Sequence, residues 1–169
     1  MANRRHRAKA KPFPWRCPRC RKLEVYRVKI SHTAQITHDG RMHVVTVPDL
    51  RVARCRSCGE FVFDHDADDQ ISQGLRAQLR LLRPEQLRKI RTVFGLTQRK
   101  LAERLGVAEE TISRWETGML IQSRAMDNLL RVYFAFPEVR SALTGAQQNP
   151  ALGADLDFQR KVPAASRRG

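Results

Sequence analysis

The chain has 169 residues, room for one ordinary domain or two small ones. Hydrophobic residues make up 41% and charged residues 29%, so the cores are small and at least one calls for a staple such as a metal. A formal net charge of +15 points toward a polyanion as partner; no apolar run reaches membrane-spanning length and the N-terminus lacks a signal peptide's apolar stretch, so a membrane or secreted protein is disfavoured and a cytoplasmic, nucleoid-associated one expected.

The charge is uneven. Residues 1–22 hold nine Lys/Arg and no acid, and MANRRHRAKAKPFP, residues 1–14, has the composition of a disordered basic arm. The alternative is a solvated tail that only aids solubility. CPRC follows at 17–20. Residues 23–54 alternate and are rich in Val, Ile and Thr, and Asp39-Gly40 between two such runs is a two-residue hairpin signal, because both turn positions want positive φ. After Pro48 a separate short strand, LRVARC, is expected to lead into CRSC and EFVF.

HDADD at 65–69 reads as an acidic linker, and ISQGLRAQLRLLR as a short connecting helix with Leu75, Leu79 and Leu82 on one side; Gly74 obscures its start. Five helices are expected over 83–145. Pro84 opens the first, whose apolar set is Leu87, Ile90, Val93 and Phe94. Thr97 caps the second, and Gly106 ends it. The third runs from about Ala108 to Thr117 with Ile112 and Trp115 inward. SRAMDNLLRVYFAF and PEVRSAL supply the last two. Residues 146–169, small, polar and punctuated by Pro and Gly, read as a disordered tail.

Cys17, Cys20, Cys55 and Cys58 form two CxxC turns, 34 residues apart. Two thiolates at i and i+3 grip one face of a tetrahedral ion, and a second such turn closes the other. All four cysteines are used, so the expected cofactor is one Zn2+, closed and structural. Reduced thiols or a redox pair are the alternative. His32, His38 and His43 are expected at the hairpin surface, and His65 with its acidic neighbours in a solvated linker.

TQRKLAERLGVAEETISRWETG is a helix, a glycine turn and a second helix. With Ile112 and Trp115 inward, Glu109, Glu110, Thr111, Ser113 and Arg114 face out. Short hydrogen-bonding side chains near a helix N-terminus suit the base edges of a major groove. Arg114 has the fork for guanine, Glu109 or Glu110 could accept from cytosine, and Thr111 could touch a thymine methyl. Arg99 and Arg124 are further candidate DNA contacts.

LTQRKLAERLGVAEETISRWETG resembles the helix-turn-helix of the lambda repressor/Cro-type (XRE) family over about residues 84–143. The resemblance implies a phosphate-holding role for Gln98, base-reading positions at Glu109, Glu110, Thr111 and Arg114, and a largely buried ion pair between Arg91 and Glu116. Two CxxC turns around a hairpin, a linker and then these helices are similar to the MqsA/YgiT-type zinc-finger antitoxins. That resemblance implies a zinc half that engages a ribonuclease toxin and a helical half that dimerises and binds an operator. The chain departs from that pattern at Glu110, where the family has Asn, and in its N-terminal arm and C-terminal tail.

The expected fold class is therefore α+β: a small β-rich zinc-binding domain over 15–64, a linker with a connecting helix over 65–82, and an all-α five-helix lambda repressor-like domain over 83–145. The expected function is a sequence-specific DNA-binding repressor, antitoxin-like and autoregulatory, acting as a homodimer on a palindromic double-stranded operator. Leu130, Tyr133, Phe134 and Phe136 either form the dimer seam or close the monomer's core. A stand-alone transcription factor without a toxin, or a zinc module binding RNA, are the alternatives. An enzyme is not expected, because no nucleophile–base pair stands out.

Overall fold

The structure, a computed structural model, describes residues 12–144. The basic run before residue 12 and the tail from residue 145 lie outside the described residues. The first half is one antiparallel sheet in the order β1 (Trp15–Arg16), β2 (Leu23–His38), β3 (Arg41–Cys55), β4 (Phe61–Val62). β2 and β3 form a long hairpin closed by Asp39 and Gly40 at φ 51° and 70°. Asp tolerates that left-handed region and Gly adopts it freely, which is why the Asp-Gly pair sets the register.

Pro48 does not break the second run as expected. Ile30 pairs with Leu50 and His32 with Val47, so Ser31 alone faces Pro48 and Asp49. A proline, lacking the N–H a ladder needs, is accommodated at such a bulge, and β3 continues through it.

α1 spans His65–Gln78, so HDADD is the first turn of a helix rather than a linker. The Asp64 carboxylate accepts from the Ala67 N–H at 3.1 Å, and acids in a first turn are favoured by the helix dipole. Arg27 of β2 donates to Asp66 at 2.6 Å and to Asp64 at 3.0 Å. Gln70 donates to the Arg51 carbonyl and accepts from its N–H, tying α1 to β3. Gly74 is where the helix lies closest to the sheet: a Cβ there would meet Val45 Cγ1 at 2.9 Å. The helix also stops earlier than its leucines suggest. Arg80 takes φ 51°, Arg80 N–H donates to the Ala77 carbonyl and Leu81 N–H to that of Arg76, a left-handed stop that turns Leu81 and Leu82 inward.

Five helices follow: α2 (Pro84–Val93), α3 (Gln98–Leu105), α4 (Glu109–Thr117), α5 (Arg124–Ala135) and α6 (Pro137–Leu143). Thr97 and Ser123 side chains cap α3 and α5. Leu82, Leu87, Leu101, Leu105, Ile112, Trp115, Leu130 and Tyr133 form their shared core. Leu130 and Tyr133 thus close the monomer, whereas Phe136 is half exposed. Val93, expected inward, is 75% exposed, and Phe94 packs on Phe134 with ring centroids 5.2 Å apart.

Candidate metal centre and nucleic-acid interface

The two cysteine turns are built alike. Cys17 N–H donates to the Lys22 carbonyl at 2.8 Å and its carbonyl accepts from Arg21 N–H at 3.0 Å. Cys55 repeats the pattern, with Glu60 at 2.8 Å and Gly59 at 2.9 Å. Arg21 and Gly59 occupy the same position after each CxxC, at φ 63° and 76°. The residue at that corner must turn left-handed, and this aims backbone N–H groups and both sulfurs of each turn inward.

The four Sγ atoms lie within 4.8 Å of one another, with Cys17 to Cys58 and Cys20 to Cys55 both at 3.6 Å. The edge of a ZnS4 tetrahedron with ~2.3 Å bonds is about 3.8 Å. A disulfide would need about 2 Å. The backbone N–H of Cys20 holds the Cys17 thiol down to about 7 against the pull of burial. At Cys58 the Glu60 N–H acts in the same sense, but burial and three neighbouring sulfurs outweigh it and push the thiol up to about 12. Four sulfurs this close cannot all be thiolates without a cation between them. Donor set and spacing fit one zinc ion held by Cys17, Cys20, Cys55 and Cys58. Phe13, Trp15, Val25, Ala53 and Val62 pack around it. Phe13, expected within the disordered arm, stacks on Trp15 at 4.3 Å.

α3 and α4 meet across Gly106, whose φ of 68° makes the turn between them. On α4, Ile112, Trp115 and Glu116 are buried. Glu109, Glu110 and Arg114 are exposed, with Thr111 and Ser113 half-buried beside them. None of the five side chains has a hydrogen bond or ion pair among the described residues. Arg99 is exposed one helix earlier, paired to Glu103 at 3.0 Å.

Glu116 fixes the frame. Arg91 donates to it through Nε at 2.5 Å and Nη2 at 2.9 Å, and through Nη1 to the Leu96 carbonyl at 2.6 Å. The Glu116 hydrogen bond is the main reason the Arg91 pKa is raised; burial opposes it. Gln98 donates to Glu116 at 2.8 Å, so one of its amide hydrogens is already used. Arg124 sits elsewhere: its N–H donates to the Asp39 carboxylate at 2.6 Å and its guanidinium to the Leu79 carbonyl.

Some residues that hold the site gave no sequence signal. Arg88 donates to the Glu116 carbonyl at 2.9 Å. Asp127, fully buried, accepts from Leu82 N–H at 2.7 Å and from Arg131 at 2.7 Å. Gln122 donates to the Leu82 carbonyl at 2.6 Å. Polar side chains at such positions read as surface in a sequence, because these backbone partners lie 28 to 45 residues away.

No helix among the described residues is long and apolar enough to cross a membrane. No curated protein matches the chain. The family model described as MqsA, antitoxin component of a bacterial toxin–antitoxin system, matches residues 15–143, which takes in both the cysteine turns and the helices. The chain therefore belongs to the MqsA antitoxin family.

Proposed function

We propose that the protein is a zinc-structured, sequence-specific DNA-binding repressor of the antitoxin type. In this proposal α3 and α4 act as a lambda repressor/Cro-type helix-turn-helix, and the cysteine-bearing half takes a ribonuclease toxin as partner. The observation that carries it is the α4 surface: five polar side chains left unbonded, with Glu109, Glu110 and Arg114 exposed, on a helix whose opposite side is fixed by Ile112, Trp115 and the Arg91–Glu116 pair. A helix that served only packing would not need them. A groove-reading helix does, and Arg114, with a free guanidinium, suits guanine O6 and N7. In this reading Gln98 and Arg99, at the start of α3, hold a backbone phosphate.

Such proteins act as dimers on two half-sites one helical turn apart. The exposed apolar side chains of Val132 and Phe136, on and just after α5, are candidates for a seam of that dimer. Family membership supports the toxin partner; a pull-down with full-length protein and a small ribonuclease tests it, and repeated failure would favour a stand-alone transcription factor.

Selection from random duplexes tests the DNA function. A short palindrome should be enriched. Arg114→Ala should lose preference at one guanine per half-site by roughly 1–3 kcal/mol. An Arg114→Ala profile identical to wild type would remove α4 from the interface.

A further inference from the structure

The segment between the two halves would ordinarily be a hinge. Here the two halves are fastened to each other at two points. Arg76, on α1, is only 2% exposed and has no ion-pair partner among the described residues. Burial lowers its pKa, with Asp69 and Glu85 acting from a distance in the opposite sense. Its Nη2 donates to the carbonyls of Gly118 and Leu120, both at 3.1 Å, immediately after α4. Its Nε finds no acceptor. A buried cation without a carboxylate is costly to fold, and its bonds here go to two backbone carbonyls just past the C-terminal end of α4. The second fastening comes from the hairpin turn. Asp39, next to Gly40, accepts the Arg124 N–H at 2.6 Å, one of the free first-turn donors of α5. Between these points Arg131 donates to the Arg80 carbonyl at 2.8 Å, and Asp127 and Gln122 grip Leu82. α1 itself lies on β3 with no room for a Cβ at Gly74.

We infer that Arg76 and Asp39 are positioning residues that lock the helical half onto the zinc-bearing half and so set the pose of α4. This rests on α4 being the groove-reading helix. The consequence is that DNA reading depends on residues outside the two helices that touch DNA, and that whatever loosens the hairpin also loosens α4.

Two measurements on full-length, zinc-loaded protein test this. The first needs no DNA. Backbone 15N relaxation should give one rotational correlation time for residues 15–62 and 84–143 in the wild type. Arg76→Met, which keeps a stem of similar length, should give two, with faster amide exchange at 118–122. Asp39→Gly serves as a second variant, because glycine keeps the turn's positive φ and the site lies away from both cores. Two correlation times already in the wild type, or one in both variants, would overturn the inference. The second measurement is affinity for the selected palindrome. Arg76→Met should lose roughly tenfold, the scale of a charge-assisted hydrogen bond, and more on the palindrome than on random duplex. Arg76→Lys, which still reaches a carbonyl, should recover part of it. Unchanged affinity and unchanged preference in Arg76→Met would overturn the positioning role. If the wild type tumbles as one body yet prefers no duplex, the DNA assignment fails and the lock does not.

Discussion

Glu116 shows how much one side chain can organise. Its carboxylate is fully buried and takes three hydrogen bonds, two from Arg91 and one from Gln98. Arg91→Met would leave that carboxylate without its main partner, and should cost about 3–5 kcal/mol in urea unfolding. Arg91→Met with Glu116→Leu should recover part of the loss, since both charges are then gone. The Arg91 pKa is raised, so its contribution is fully present below the ordinary arginine value and lost only above it. Arg91 therefore adds no pH dependence in the physiological range. The positions of this pair came from a family resemblance, because 25 residues separate the partners and no local pattern links them. The same resemblance implies a phosphate for Gln98, and no local pattern points to its bond to Glu116. Arg76 was invisible for a related reason: an arginine in an amphipathic run reads as solvated, and only the fold supplies the two carbonyls it meets.

At the level of elements, local chemistry decided what could be read. Asp39-Gly40 identifies the hairpin, since few residue pairs accept two positive φ values. The caps and stops of α3, with Thr97 before it and Gly106 after it, were equally plain. The acidic run at 65–69 was not, because acids favoured by a helix N-terminus and acids of a solvated linker look the same until Arg27 and the sheet are in place. In the sequence Gly74 obscures where α1 starts; in the fold it is the helix's point of contact with the sheet. Gly74→Ala would ordinarily help a helix by about 0.5–1 kcal/mol. Here the new methyl meets Val45, a buried β-branched side chain with little freedom to move. A net loss of roughly 1–3 kcal/mol is expected in thermal or urea unfolding. A gain would mean that α1 does not pack so closely on β3.

For the molecule as a whole, the zinc centre and the helical core have different sources of stability. Around the cysteines, among the described residues, only the small side chains of Val25 and Ala53 are buried with the sulfurs, so metal binding should supply folding free energy on the order of 10 kcal/mol there. Chelation, or Cys55→Ser, should abolish one equivalent of zinc and the strand signal in circular dichroism, while much of the helical signal persists. The four-cysteine centre was legible because its spacing carries its chemistry. The way the halves are joined was not, because it depends on bonds such as Asp39 to Arg124 that span 85 positions. The basic run of residues 1–11 holds five Lys/Arg, and deleting it should flatten the slope of log K against log salt by up to about 4–5 if each contacts a phosphate. An unchanged slope would show that the arm touches none.

The most direct measurement is a map of amide chemical shifts on titration of full-length protein with its selected palindrome. The largest changes should fall at Glu109 to Arg114 and at Gln98 and Arg99, with the zinc turns little affected. Changes confined to residues 15–64, with α4 silent while the duplex binds, would contradict the assignment of that helix to the groove.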